Sequence, residues 1–440
     1  MRFAPHTDDD VREMLAALGL SSLDDLFAQV PPGVRLDRAL DLPDGISEME
    51  LVADMRHMAS RNRHADELVC FAGAGAYDHY VPSVVWALAG RSELFTAYTP
   101  YQPELSQGVL QILFEFQSMI CELTGMGVSN ASLYDGASAL VEAVNMTRTA
   151  ERGRVLVAET VDPRYVETLR TYGRGAGYEP ERIEARGGRV LAPSIDADVA
   201  CVIVQHPNAF GILESVQELS AAAAAAKAKT IQIFDPMSLG VLAPPGELGV
   251  DIAVAEGQGL GNHLNFGGPY LGILAASLDD VRRMPGRIVG ETVDVDGRVG
   301  YVLTLQAREQ HIRRERANSN ICTNQTLMAI ASTVYLGWLG PAGLVDLGRQ
   351  CHSRATYAAG RLTTIPGVAL AFPDAPFFKE FALRLPRPAD AVRDGLIGHG
   401  ILAGVPAPWV GEDVLLVAVT ERRDRGEIDR FTDAMREVLT

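Results

Sequence analysis

Short apolar runs at Val155 to Ala158, Ala200 to Val204, Thr230 to Phe234, Ile252 to Ala255 and Tyr270 to Ala275 alternate with helical stretches from residue 128 to about 276. This alternation restricts the fold more than any other feature of the chain. Apolar runs with no polar residue at every second position suit strands buried on both faces, as in a mainly parallel sheet. Strands separated by helices point to an α/β architecture. The Ala-rich stretch 221 to 228 is a strong helix former that joins two of the strands. An open sheet of this kind binds ligands beyond the carboxyl ends of its strands, so the segments following the runs are the ones to search for chemistry.

The flanking segments read differently. Thr7 to Asp10, Ser22 to Asp25 and Ser47 to Glu50 each start a short helix in capping-box fashion. They predict a helical N-terminal arm over 1–75. Ser106 is expected to cap a long helix whose apolar face carries Val109, Leu113, Phe116 and Ile120, and Gly125 ends it. A large α/β domain is expected over 76–330, with a polar, arginine-rich section from 277 to 330. A smaller C-terminal α/β domain is expected over 331–440, starting with a long apolar helix and carrying strands at Glu380 to Leu385 and Val414 to Thr420. The net charge of −17 argues against nucleic acid or an anionic membrane as main partner. The five cysteines are odd in number and show no C-x-x-C spacing, which argues against a disulfide framework or a zinc site and suits a reducing cytoplasm; no metal is expected. MRFAPHTDDD lacks the apolar core of a signal peptide, and no apolar run reaches the length of a membrane span.

Four segments should gather at the strand ends. Asn130 to Ser138, NASLYDGAS, opens a helix whose first N–H groups can hold a phosphate; alternatively Asp135 and Ser138 merely cap that helix. In Gln205 to Gly211, QHPNAFG, His206 either faces a ligand or is a satisfied structural histidine. Asp235 follows an apolar strand, where a carboxylate can pair with a protonated ring nitrogen or cap the next turn. EGQGLGNHLNFGGP, from Glu256, is glycine-rich but is no Walker loop, since no Gly-Lys-Ser/Thr follows. Two further clusters stand out. Arg308, His311, Arg313, Arg314 and Arg316 offer cations for a carboxylate or phosphate, or form a solvated helix face with Glu309 and Glu315. Tyr98 and Tyr101 flank Thr99-Pro100 in a rigid turn that also presents Gln102.

The sequences FAGAGAYDHYVP, YTPYQPELSQG, LTGM, NASLYDGASA, FDPMSLG, NFGGPYLG, RMPGRIVGET and LTLQAREQHIRRERANSNICTNQ stand in one order over essentially the whole chain. In these the chain resembles the glycine-cleavage P-protein family, specifically the N-terminal-half subunit of its split form. The resemblance implies a fold-type-I transferase-like α/β fold and pyridoxal phosphate (PLP) chemistry. It also implies the reaction: glycine is decarboxylated, its aminomethyl group passes to the lipoyl arm of H-protein, and CO2 leaves.

Against that background the lysines are informative. Only Lys227, Lys229 and Lys379 occur, with none from 230 to 378. PLP is held as a Schiff base on a lysine amine, and the always-protonated guanidinium of arginine cannot replace it. Counted back from Gly267-Gly268-Pro269, the lysine's place falls near Gln258. The resemblance therefore implies a heterotetramer, two of this chain and two of a subunit 2 that carries the PLP lysine. Asp135, Ser138 and Asp235 would be remnants of a cofactor site or parts of the interface. Tyr98, Tyr101 and Gln102 are expected to enter the partner's active site, and Arg308, His311, Arg313, Ser319 and Asn320 to meet substrate or partner. Two other readings stand beside this one. An autonomous PLP enzyme would use one of the three lysines, none of which is expected under a ring held by Asp235. A non-catalytic scaffold would place no residue in any active site.

Overall fold

In the computed structural model, residues 5–96, 98–317 and 319–440 are described. Contacts divide the chain after Arg63. The first unit contains the helices Asp8–Ala17 and Glu48–Ala59 and a 3-10 turn at Leu23–Phe27. Each starts with the expected reciprocal capping box, on Thr7/Asp10, Ser47/Glu50 and Ser22/Asp25. The second unit begins at His64, earlier than the boundary expected at 75. Strand β1 (Val69–Cys70) already pairs in parallel with β15 (Ile401–Leu402).

The second unit is built on a seven-stranded sheet. Its strands in chain order are β2 (Val128–Ser129), β3 (Arg154–Ala158), β4 (Pro180–Ile183), β7 (Val199–His206), β8 (Lys229–Phe234), β9 (Ile252–Glu256) and β10 (Gly272–Ala276). Across the sheet they run β2-β10-β9-β8-β7-β3-β4. From β9 to β4 all pairings are parallel, while β10 runs antiparallel to both neighbours. Both faces are covered, and the burial shows why the runs are continuously apolar. On β9, Ala253 and Ala255 join one core with Leu110, Phe116 and Ile120 of the helix Gln107–Thr124. Ile252 and Val254 join the other with Leu140 and Val144 of the helix Gly136–Thr147. A small hairpin, β5 (Ala185–Arg186) and β6 (Arg189–Val190), follows β4.

The section 277–330 is not merely polar chain. It contains an antiparallel hairpin of β11 (Val289–Val293) and β12 (Val299–Leu303). The helix Thr326–Leu362 then runs on, with non-helical backbone at Gly340 just before Pro341. By length and composition it could cross a membrane. Ala329, Ile330, Ala331 and Tyr335 instead bury in the main core, while Ala355, Ala358 and Leu362 bury in the C-terminal one. The C-terminal sheet is antiparallel in the order β13 (Ala369–Leu370), β14 (Glu380–Arg384), β17 (Val414–Ala418), β16 (Val405–Pro406).

Candidate functional site

The carboxyl ends of β3, β7, β8 and β9 converge, as the topology requires. Asp162, Gln205, Asn208, Asp235 and Glu256 line one cavity there, with Tyr77 and Tyr165. The remaining wall comes from the C-terminal sheet. Leu213 N–H donates to Pro376 carbonyl (2.9 Å) and Phe378 N–H to Gly211 carbonyl (3.1 Å), which lays 376–380 across the strand ends. Only glycine fits at 211: its φ is +77°, and a Cβ would overlap the Glu380 carbonyl.

This strap overturns one expectation. Lys379 was expected away from Asp235; its Nζ lies 2.8 Å from Asp235 Oδ2, with only 2% of the side chain exposed. Strand order and sequence distance gave no sign of this, because the approach is made by backbone bonds between remote segments. Lys379 also lies 2.9 Å from His79 Nε2 and 3.7 Å from the centre of the Tyr77 ring. His79 Nδ1 is in turn 2.7 Å from Glu421 Oε2. The other lysines are elsewhere. Lys229 starts β8, at the far end of the sheet strand that leads to Asp235, and pairs with Asp251 and Asp280. Lys227 is exposed.

The helix start is largely engaged by this chain's own carboxylates. Asp135 Oδ1 accepts from Ser138 N–H (2.7 Å) and Ser138 Oγ accepts from Asp135 N–H (3.1 Å). The next donor, Gly136 N–H, gives its hydrogen bond to Glu256 Oε2 at 3.0 Å. A Cβ at Gly136 would lie 2.8 Å from Glu256 N, so glycine is what lets the helix end abut β9. Glu256 Oε1 accepts from Gln258 N–H and Leu271 N–H. Burial, partly offset by those N–H groups, pushes its carboxyl up to about 7. Gln258 is buried: its Oε1 accepts from Tyr77 N–H and its Nε2 donates to Asn262 carbonyl. Asp235 also accepts from Met237 N–H.

PLP needs a lysine, a free anion-binding helix end and room for a ring. Here Gln258 stands near the lysine's place, Glu256 holds the helix N–H, Lys379 holds Asp235, and the cavity measures about 40 Å³. Small-molecule sites run to roughly 300–1,000 Å³. The residues present do not fit the cofactor.

His206 is structural. Its Nδ1 accepts from Glu214 N–H, and burial, with Arg189 nearby, pushes the imidazole down to about 4. Asn208 is fully used by Gly188 carbonyl, Glu214 and the N–H groups of Phe210 and Ile212. Cys351, His79 and Glu421 have metal-ligating atoms within 4.8 Å of one another. Both imidazole nitrogens are already engaged, one of them by an ammonium group, which makes the set a poor metal site.

One of the remaining candidates, Tyr101, is joined to the arginine-rich segment at a second place, through a residue that sequence reasoning missed. Arg287 is 2% exposed. Its Nη1 donates to Glu309 Oε2 (2.7 Å), and its Nη2 donates to Cys322 carbonyl (2.6 Å) and to Tyr101 Oη. The guanidinium also lies over the Tyr101 ring, 4.6 Å from its centre. Arg287 thus ties the tyrosine turn to the arginine-rich segment. Tyr101 remains 52% exposed and Tyr98 77% exposed; Gln102 is exposed. Arg308 is spent on Leu305 and Gly286 carbonyls. His311 faces Glu309 at 3.4 Å, Arg313 and Asn320 are exposed, and Ser319 Oγ accepts from Ile321 N–H. None of the described residues among 98–102 and 308–320 lines the Asp235 cavity.

The family model for the glycine cleavage system P-protein matches residues 1–435. The probable glycine dehydrogenase (decarboxylating) subunit 1 of Chlorobium limicola is 49% identical over 441 residues, covering 99% of each chain. Its namesake from Carboxydothermus hydrogenoformans is 49% identical over 446 residues, again covering 99% of each. The crystal structure of glycine decarboxylase (P-protein) of the glycine cleavage system, in inhibitor-bound form, matches with a TM-score of 0.94 and 45% identity over 100% of both chains. A sphingosine-1-phosphate lyase from Burkholderia pseudomallei matches at TM-score 0.65 and 16% identity, covering 93% of this chain and 94% of that one, a likeness of fold alone. The architecture is that of the fold-type-I PLP-dependent enzymes.

Proposed function

Since the chain belongs to the glycine cleavage system P-protein family, we propose that it is subunit 1 of a two-chain glycine decarboxylase, the chain without the PLP-binding lysine. In this reading it assembles with a subunit 2, two of each, in the cytoplasm. The partner's lysine carries the PLP; this chain holds none and is inactive alone. The assembly decarboxylates glycine and passes the aminomethyl group to the lipoyl arm of H-protein. The observation that carries the reading is the closed cavity at Asp235: an enzyme of this family needs its cofactor, and here Lys379 and Glu256 occupy the groups that would receive it.

This chain's own contribution, in the same reading, is the turn 98–102. Tyr101 is held from behind by Arg287 while about half of it faces outward, a combination suited to presenting a phenol across an interface. A rigid donor placed before the reaction stabilises developing charge without reorganisation. The closed cavity suits a non-catalytic scaffold equally well, and Tyr101 separates the two readings. Tyr101→Phe keeps the ring over Arg287 and removes only the hydroxyl. In the assembled enzyme, glycine-dependent CO2 release with lipoylated H-protein is expected to fall at least about tenfold in kcat, a loss of roughly 1.4 kcal/mol or more of transition-state stabilisation. Unchanged turnover with Tyr98→Phe and Tyr101→Phe combined would leave the scaffold.

A further inference from the structure

A line of ionisable groups crosses the end of the sheet: the partly buried Asp235, the buried Lys379 and His79 and the partly buried Glu421, with the buried Glu380 alongside. Its contacts are mutually consistent. Lys379 Nζ lies 2.8 Å from Asp235 Oδ2 and 2.9 Å from His79 Nε2, and His79 Nδ1 lies 2.7 Å from Glu421 Oε2. Tyr77 gives its ring face to Lys379 and its hydroxyl hydrogen to Glu380 (2.9 Å), and Glu380 also accepts from Ala74 N–H (2.7 Å). Such a set is costly to bury unless its polar atoms are satisfied; here Lys379 pairs with Asp235, Glu421 also accepts from Tyr80 N–H, and Glu380 accepts from Ala74 N–H and the Tyr77 hydroxyl. The groups come from both sheets. Asp235 ends β8 of the large sheet, while Lys379 and Glu421 flank β14 and β17 of the small one.

We propose that Lys379 is a built-in occupant of the ring site. Its ammonium makes with Asp235 the contact that a protonated pyridine nitrogen makes in a PLP enzyme, and Glu256 holds the helix N–H in the place of a phosphate. The pocket is thereby closed to any cofactor, and the C-terminal sheet is pinned to the strand ends. This role stands whether or not the chain serves the glycine reaction, because it is a property of the isolated full-length chain. It also defines what an opened pocket would accept: a small primary ammonium ion, and not a phosphate ester, since Glu256 remains in place.

The test uses Lys379→Ala, which removes the equivalent of propylammonium. Thermal unfolding of the full-length chain is measured with propylammonium chloride, and with tetramethylammonium and sodium chlorides at equal ionic strength. The midpoint of Lys379→Ala is expected to fall by roughly 5 °C or more, since breaking a buried pair leaves Asp235 unpaired. Propylammonium should restore it saturably, while the other two salts should not, and the wild type should not respond. Rescue no better than by sodium would overturn the proposal. So would a Lys379→Ala protein as stable as wild type. PLP followed by borohydride should place no phosphopyridoxyl group on Lys379 of the wild type; a label there at one per chain would show the pocket open. If Lys379→Ala does not fold, Lys379→Met and Lys379→Met/Asp235→Asn replace it. The double variant should unfold at a higher temperature than the single one, because it leaves no orphan charge. A double variant that falls by the sum of its parts would refute the pairing.

Discussion

Replacing Arg287 with methionine asks how strongly the second place is held. In the wild type the guanidinium neutralises Glu309, whose side chain is 7% exposed, and also serves the Cys322 carbonyl and the Tyr101 ring. Methionine fills much of the volume but leaves the Glu309 carboxylate buried without its guanidinium, with the half-exposed His311 3.4 Å away. Removing one partner of a buried ion pair costs about 3–5 kcal/mol. The lost carbonyl bond and ring contact overlap with that figure, so the expected total is about 4 kcal/mol. Arg287→Lys keeps one charge contact but cannot fork to Glu309, Cys322 and Tyr101 together, and should cost about 2 kcal/mol. Arg287→Met/Glu309→Gln removes the stranded charge and should recover about half of the methionine loss. Urea unfolding followed by circular dichroism measures all three, and hydrogen exchange reports whether 98–103 and 305–322 loosen together. A methionine variant costing under about 1 kcal/mol, or no better off when Glu309 is also neutralised, would refute the claim that this pair holds the turn.

Other outcomes follow from the same contacts. Burial, opposed by Ala74 N–H, Tyr77 hydroxyl and Lys379, pushes the Glu380 carboxyl from 4.5 up to about 7. The folded state then binds more protons than the unfolded one between these values, so stability falls as pH rises from 4.5 to 7 and levels off above. Glu380→Gln keeps both hydrogen bonds if the Tyr77 hydroxyl turns to accept; the slope of stability against pH in that window should flatten, and the variant should gain about 2 kcal/mol over wild type at pH 8. Gly136→Ala drives a methyl to 2.8 Å from Glu256 N and should cost about 2 kcal/mol or more by thermal unfolding. Lys229→Met removes a half-exposed pair with Asp251 and Asp280, and should change stability by only about 1 kcal/mol, against the larger effect at Lys379.

Much of the fold can be read from the sequence because its strands are buried on both faces. The runs at 155–158, 200–204, 230–234 and 252–255 fall inside β3, β7, β8 and β9 within a residue or two. The capping boxes at Thr7, Ser22 and Ser47 are local chemistry and form as their spacing dictates. Ser106 is different: it sits at the N-cap but makes no side-chain cap bond. The hairpin β11–β12 had a signal that was passed over, Asp296-Gly297 between alternating residues such as Val289, Glu291 and Val293. Position at the strand ends brought Asp235 to the cavity but could not show its partner, and no residue of the NASLYDGAS loop lines that cavity. Whether a helix start is open to a ligand depends on what lies opposite, and Glu256 comes from another strand. Lys379 and Arg287 were illegible for the same reason. Their neighbours are set by tertiary contacts, so charge patterning favoured the arginine-rich stretch 308–316 over the buried Arg287.

The most direct test of the central claim is the mass of each chain after borohydride reduction of the complex purified gently from its own cells. A second chain of similar size bearing the phosphopyridoxyl group, with this chain unmodified, is the result expected of a subunit without the PLP-binding lysine. A phosphopyridoxyl group on this chain at one per molecule would contradict it.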